Sequence, residues 1–191
     1  MKAKNIVSAL AKRHGATDVN TAGKEWAFFE ELRAGTGYRT FDYKKGKVKP
    51  FNPEQRFDAW AINLYPSKQH ERIVYEIKVS RSDFLSEISN PDKRQQALAL
   101  SNYFYFATPK GLISVDEIPG ECGLIEVNDD LSSRIKKKAP YRDTDVLTWQ
   151  FLCSIARRAC VAEKQVNDLQ KQIREDYLKR NTKADKAFVG N

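Results

Sequence analysis

Three residues carry the strongest chemical signal in the sequence: Asp58, Glu76 and Lys78. Asp58 stands in RFDAWAINLY, residues 56–65, and the other two stand in ERIVYEIKV, residues 71–79. Both stretches are rich in aromatic and β-branched residues, and the PSKQH between them has the length of a hairpin turn. A hairpin centred near residue 67 or 68 puts Asp58 opposite Glu76 or Lys78, with all three side chains on one face of the sheet. A register shifted by a single residue turns Asp58 to the Ile77 face and dissolves the cluster. Two converging carboxylates repel each other unless a positive charge lies between them. A divalent cation meets that need, and an oxygen-only set suits Mg²⁺ or Mn²⁺. The carbonyl of Ile77 offers a further oxygen. Lys78, beside such a metal, serves as a neutral amine or as an ammonium facing a phosphate. Metal and lysine together make hydroxide from water and stabilise a pentavalent phosphate.

On spacing alone, an aspartate and an ExK string on a hairpin read more readily as a cross-strand salt bridge. Three features favour catalysis instead: Glu25 on a preceding helix, a helix directly after the strand, and a basic overall balance.

The elements that must position these residues follow from pattern. Residues 2–13 read as a short helix with Ile6, Leu10 and Ala11 at helical spacing. Thr17 to Gly23 is a polar joint. Lys24 to Ala34 reads as a second helix ended by Gly35-Thr36-Gly37, with Glu25 on the face of Phe28, Phe29 and Leu32. Tyr38 to Tyr43 reads as a strand running into Lys44, Lys45, Lys47 and Lys49, which form a solvated hairpin, a phosphate-contacting loop, or both. In ERIVYEIKV, Ile73, Tyr75, Ile77 and Val79 share one face, and Val74, Glu76 and Lys78 the other. Ser80 or Ser82 caps a helix starting near Asp83, and Asn90-Pro91 restarts it up to Leu100. Asn102–Thr108 is an apolar strand, Gly123–Val127 another, and Arg134–Lys138 (RIKKK) a basic edge strand.

From Thr144 to about Arg180 the chain reads as one long helix. Leu152, Ile155, Ala159, Ala162, Val166, Leu169 and Ile173 form an a/d heptad seam on it. Its first half is expected to pack on the domain, and its second half to fold back or to make a homodimer. Trp26, Trp60 and Trp149 are expected in the core, Tyr103 to Phe106 in a buried strand, and His14 and His70 at the surface. The predicted division is an N-terminal helix and joint (1–20), a core (21–143), the long helix (144–183) and a flexible tail (184–191). The predicted class is α/β: a central mixed β-sheet flanked by helices.

The 191 residues are 41% hydrophobic and 30% charged, which excludes global disorder. No run of about 18 apolar residues exists to span a bilayer, and the basic N-terminus lacks the apolar core of a secretory signal. The formal charge of +8 favours a polyanionic partner. Cys122, Cys153 and Cys160 are odd in number and lack CxxC spacing, so a zinc box and a disulfide framework are not expected, and a reducing cytoplasm is. No GxSxG, Walker loop or HExxH is present.

The helix glutamate, strand aspartate, ExK and following helix resemble the PD-(D/E)XK nuclease superfamily. Within it, YEIKVSRSDFLSEI, NPDKRQQALALSNYFYFATPKGLI and CGLIEV resemble the MmcB-type DNA-repair proteins. The resemblance spans Glu25 to Val127, and more weakly 139–159. It implies a restriction-endonuclease-like core and metal-dependent phosphodiester cleavage of DNA. Carried over, Asp58 and Glu76 are the metal carboxylates and Lys78 is the catalytic lysine. Glu25 resembles the glutamate on the first core helix of archaeal Holliday-junction resolvases. Phe57 stands where the name-giving proline would be. Ser80, Arg81, Ser82 and Asp83 match the string after the lysine, with capping and phosphate contact as their roles. Among Arg94, Gln95 and Gln96 a supporting polar residue is expected. DNA contacts are assigned to Arg81 and to the two runs Lys44, Lys45, Lys47, Lys49 and Arg134, Lys136, Lys137, Lys138. The leading expectation is a Mg²⁺-dependent DNA endonuclease of repair, recombination or phage DNA processing, in the cytoplasm of a bacterial or phage-infected cell. The competing ones are a non-catalytic nucleic-acid-binding protein that keeps the fold and an adaptor using the heptads.

Overall fold

The computed structural model describes residues 1–16, 24–35, 41–42, 46–48, 56–144 and 146–188. The chain divides into two compact units, Met1–Ser154 and Ile155–Asn191.

In the first unit, helix α1 (Ala3–Arg13) precedes strand β1 (Trp26–Arg33), a two-residue ladder of β2 (Phe41–Asp42) with β3 (Lys47–Val48), and β4 (Arg56–Asn63). Strand β5 (Arg72–Ile77) leads into α2 (Arg81–Ile88) and α3 (Gln95–Ala99). Strands β6 (Tyr103–Pro109), β7 (Gly123–Val127) and β8 (Ser133–Lys137) follow, and α4 (Trp149–Phe188) starts in the first unit and continues through the second. The sheet order is β1-β4-β5-β6-β7-β8. Neighbours β1, β4 and β5 are antiparallel, β5 to β6 and β6 to β7 parallel, and β7 to β8 antiparallel. This is the predicted mixed sheet flanked by helices.

Strand alternation assigns the two faces. Ile73, Tyr75 and Ile77 of β5 meet Ile6, Ala9 and Leu10 of α1 in one core. On the other side, Phe106 packs on Phe84 of α2 and Trp60 on Phe151, with ring centroids 5.2 and 5.4 Å apart. Strand β6 lies between two parallel neighbours and is buried almost throughout, as an uninterrupted apolar run demands. Gly123 permits the close approach of β7. A Cβ there would lie 2.4 Å from the Tyr105 ring and 2.6 Å from the Ala139 nitrogen.

Several expectations need correction. Lys24–Ala34 is not a helix: Trp26–Arg33 pairs with β4 over seven residue pairs. Its aromatics obey period 2, Trp26 and Phe28 packing on the α1 core and Phe29 on Trp60. A free β4 edge offers backbone partners to all of this stretch, whereas an eleven-residue helix has little stability of its own. His14 is buried rather than superficial: Nε2 shares a 2.7 Å hydrogen bond with the Tyr75 hydroxyl, under the rings of Trp26 and Phe28. Trp149 is exposed, because it opens the first turn of α4 while Phe151 makes the core contact. The helix begins at Trp149 rather than Thr144, since Thr148 caps it by accepting from the Phe151 N–H at 3.2 Å. It continues to Phe188, through most of the predicted tail.

Strand β8 forms the predicted basic edge. His70 is exposed, and Tyr103 to Phe106 are in a strand within the core. Residues 17–23 (the expected joint), 38–40 and 43 of the expected strand, and 189–191 lie outside the described residues. Among the described residues no helix is long and apolar enough to cross a membrane.

Candidate active site

The β4–β5 register, Ala59 opposite Tyr75 and Trp60 opposite Val74, sets Asp58 beside Glu76 one step further along. The expected same-face pairing therefore holds. Asp58 Oδ2 accepts a 2.8 Å hydrogen bond from the Ile77 N–H, which pins its carboxylate at the end of the ladder. The Lys78 N–H donates to the Ala107 carbonyl at 3.1 Å, prolonging the β5–β6 ladder by one bond and fixing the root of the lysine. Lys78 Nζ lies 2.9 Å from Glu76 Oε1, 3.4 Å from Glu87 Oε2 and 3.6 Å from Asp83 Oδ1. The last two ride on α2, capped by Ser80 Oγ, which accepts from the Asp83 N–H. Four residues apart, Asp83 and Glu87 share a helix face and reach the same ammonium.

These groups open onto a cleft of about 470 Å³, lined by Ala3, Lys4 and Val7 of α1, Glu30 and Glu31 of β1, and Asp58, Glu76, Lys78 and Asp83. Glu31 interrupts the β1–β4 ladder: Glu30 pairs with Ala59 and Leu32 with Phe57, and Glu31 between them has a φ of 50°. A non-glycine residue in that region is a local strain, here placed next to Asp58. An exposed pair of 3.7 Å joins Glu31 to Arg56.

Burial shapes the protonation of the cluster. Glu76 is pushed up to about 7, first by burial and then by the charge of Asp58, against the pull of Lys78. Burial also raises the Asp58 carboxyl, although the Ile77 hydrogen bond and Lys78 draw it back. For Lys78, burial favours the neutral amine, but Glu76, Glu87 and Asp83 outweigh it and hold the group above the usual lysine value. Lys78 is therefore an ammonium, not a base, in this state.

Other predicted residues are placed elsewhere. Glu25 lies outside the cluster: its Oε1 accepts from Asn63 Nδ2 at 2.8 Å, and Asn63 is five residues along β4 from Asp58, roughly 17 Å at strand rise. The reason is the strand β1, which carries Glu25 to the wrong end of the sheet. Arg81 forks onto both oxygens of Glu117, with one N–O distance of 2.9 Å, so its charge is already paired. Arg94 is a brace: buried, it donates to the Glu87 carbonyl and to Glu121, steadying the end of α2.

In β8, Lys137 donates to the carbonyls of Ile118 and Pro119, and Lys136 lies 3.8 Å from Glu126. Arg134 and Lys138 are exposed. The strand lies three strand spacings, about 14 Å, from β5. Lys44, Lys45 and Lys49 are outside the described residues, and Lys47 is described only as backbone of β3. Glu30, Glu31 and Glu87 were not singled out in the sequence. The signal for Glu87 is its spacing of four from Asp83, directly after the ExK string.

No family model matches the chain, and no curated protein does. A solved structure is similar: the SPO1766 protein of unknown function from Silicibacter pomeroyi, with a TM-score of 0.56 and 18% identity. The match covers 89% of this chain and 92% of that one, and it shows a shared fold.

Proposed function

We propose that the chain is a metal-dependent nuclease of the PD-(D/E)XK type, cutting DNA in repair, recombination or phage DNA processing. The observation that carries this reading is the convergence of Asp58, Glu76 and Lys78 at the end of β5, on one accessible cleft. The donor set fits a hard divalent cation. Asp58 and Glu76 are adjacent, half-buried carboxylates, the charge of Asp58 raises the proton affinity of Glu76, and a cation relieves that repulsion. Among the described residues no group of three or more His, Cys, Asp or Glu side chains is gathered as a metal cage. Asp58 and Glu76, with the Ile77 carbonyl, would hold Mg²⁺ or Mn²⁺, leaving the remaining positions to water and substrate. Such an ion supplies Lewis acidity to a phosphodiester and acidity to a bound water.

The chain's own residues do the rest. The Ile77 N–H orients Asp58. Lys78 keeps its proton and presents fixed positive charge to a phosphate that gains negative charge on attack. Asp83 and Glu87 hold that ammonium in place from α2. Lys4, across the cleft on α1, adds a second cation for the phosphate backbone.

The test is incubation with plasmid, single-stranded and branched DNA in Mg²⁺, Mn²⁺ or EDTA. Cleavage that needs metal and disappears in Asp58→Ala and Lys78→Ala supports the reading. Absence of cleavage on all three substrates contradicts it. A second reading, a non-catalytic nucleic-acid-binding protein, is favoured by one observation: Lys78 is held in three ion pairs, as in a purely structural cluster. Salt-sensitive DNA binding without cleavage in any metal would select that reading.

A further inference from the structure

An apolar seam on α4 has no role in the candidate site. Ile155, Ala159, Ala162, Val166, Leu169 and Ile173 recur at alternating intervals of four and three residues. The three large distal members are open: Val166, Leu169 and Ile173 are 53%, 57% and 61% exposed. Around them stand mostly polar residues, so the stripe is as narrow as a coiled-coil seam. A helix of this kind gains most of its stability from a packed partner.

We infer that α4 pairs with α4 of a second copy of this chain as a parallel, in-register two-stranded coiled coil over residues 155–173. The a/d pattern points to two strands, and the flanking charges choose their direction. The a positions hold Ala159, Val166 and Ile173, and the d positions Ile155, Ala162 and Leu169. Among parallel assemblies, β-branched residues at a with leucine at d favour two strands in the distal heptads. The flanking charges agree. In a parallel pair, Arg158 at a g position meets Glu163 at the following e position of the second copy, and the two-fold axis makes this contact twice. An antiparallel pair centred on the same seam brings Glu163 against its own counterpart instead. The next d position is Asp176, whose charge ends the seam. This inference does not rest on the nuclease reading.

The experiment is analytical ultracentrifugation of the full chain at low salt, across a concentration series. The wild type is expected to dimerise reversibly in the micromolar range, and Ile173→Asp to be monomeric throughout. Arg158→Glu and Glu163→Arg, each setting like charges against each other twice, are expected to weaken the dimer about tenfold. The double variant is expected to return close to wild-type affinity. A wild type that stays monomeric at high micromolar concentration overturns the proposal. So does an Ile173→Asp variant that still dimerises, or a double swap no tighter than the single ones. Circular dichroism of each variant confirms that the first unit is folded.

Discussion

At the residue scale, the cluster around Glu76 carries a stability cost that depends on pH. Glu76 is raised to about 7, so the folded state holds its proton where the unfolded chain has lost it. Stability from this group is present below about pH 4.5 and is lost as pH rises through 7. Replacing the charge by a neutral isostere removes that loss. Glu76→Gln and Asp58→Asn, in metal-free buffer at pH 8, are each expected to raise the melting temperature by a few degrees, with the gain vanishing below pH 4.5 for the first and below 3.8 for the second. Thermal melts across pH check this, and a lower melting temperature at pH 8 would contradict it. Lys78→Ala acts oppositely. It strands Glu76 and Glu87 without their buried cation, so destabilisation of about 3 kcal/mol is expected at neutral pH, measured by urea titration.

His14 titrates with the opposite sign to Glu76. Burial, then Arg13, pushes it down to about 4, so stability held above pH 6.5 is lost as pH falls toward 4. A shift of that size amounts to about 3 kcal/mol. His14→Gln should flatten the acid limb of the stability curve between pH 6.5 and 4. An unchanged limb would place the acid sensitivity elsewhere.

At the element scale, the start of α4 is held to the first unit by Phe151, which is buried against Trp60 and Phe57. Phe151→Ala is expected to cost about 3–5 kcal/mol. A loss under 1 kcal/mol in chemical denaturation would mean that the helix start is not part of the core. The β4–β5 hairpin was legible because its composition and turn length are local signals, and the site came with it. Strand β1 was not: Phe28, Phe29 and Leu32 fit either period, and Glu30-Glu31-Leu32-Arg33 favours a helix by propensity. Only the unfilled β4 edge decides for a strand, and that is tertiary information. The error moved Glu25 into the site and hid Glu30 and Glu31, which do line the cleft. His14 was misplaced for a similar reason. Its Tyr75 partner is 61 residues away, a pairing no local pattern encodes.

At the scale of the whole molecule, a formal charge of +8 should express itself as salt-dependent affinity for a polyanion. If Lys44, Lys45, Lys47 and Lys49 touch phosphates, replacing all four with Ala lowers the slope of log affinity against log salt by roughly 3 to 4 for duplex DNA. In β8, Lys136 and Lys137 are already engaged, so Arg134→Ala with Lys138→Ala is expected to change the slope by no more than about 2. Fluorescence anisotropy at several salt concentrations measures both. Unchanged slopes in both variants would assign the two runs to solubility.

If Asp58, Glu76 and Lys78 form a hydrolytic centre, DNA hydrolysis depends on them. The decisive assay is nicking of supercoiled plasmid with Mn²⁺ by the wild type and Glu76→Gln purified in parallel. Metal-dependent nicking by the wild type is expected, abolished by EDTA and reduced at least a hundredfold in Glu76→Gln, a variant expected to be the more stable of the two. Equal nicking by both proteins would contradict it, as would no nicking by the wild type.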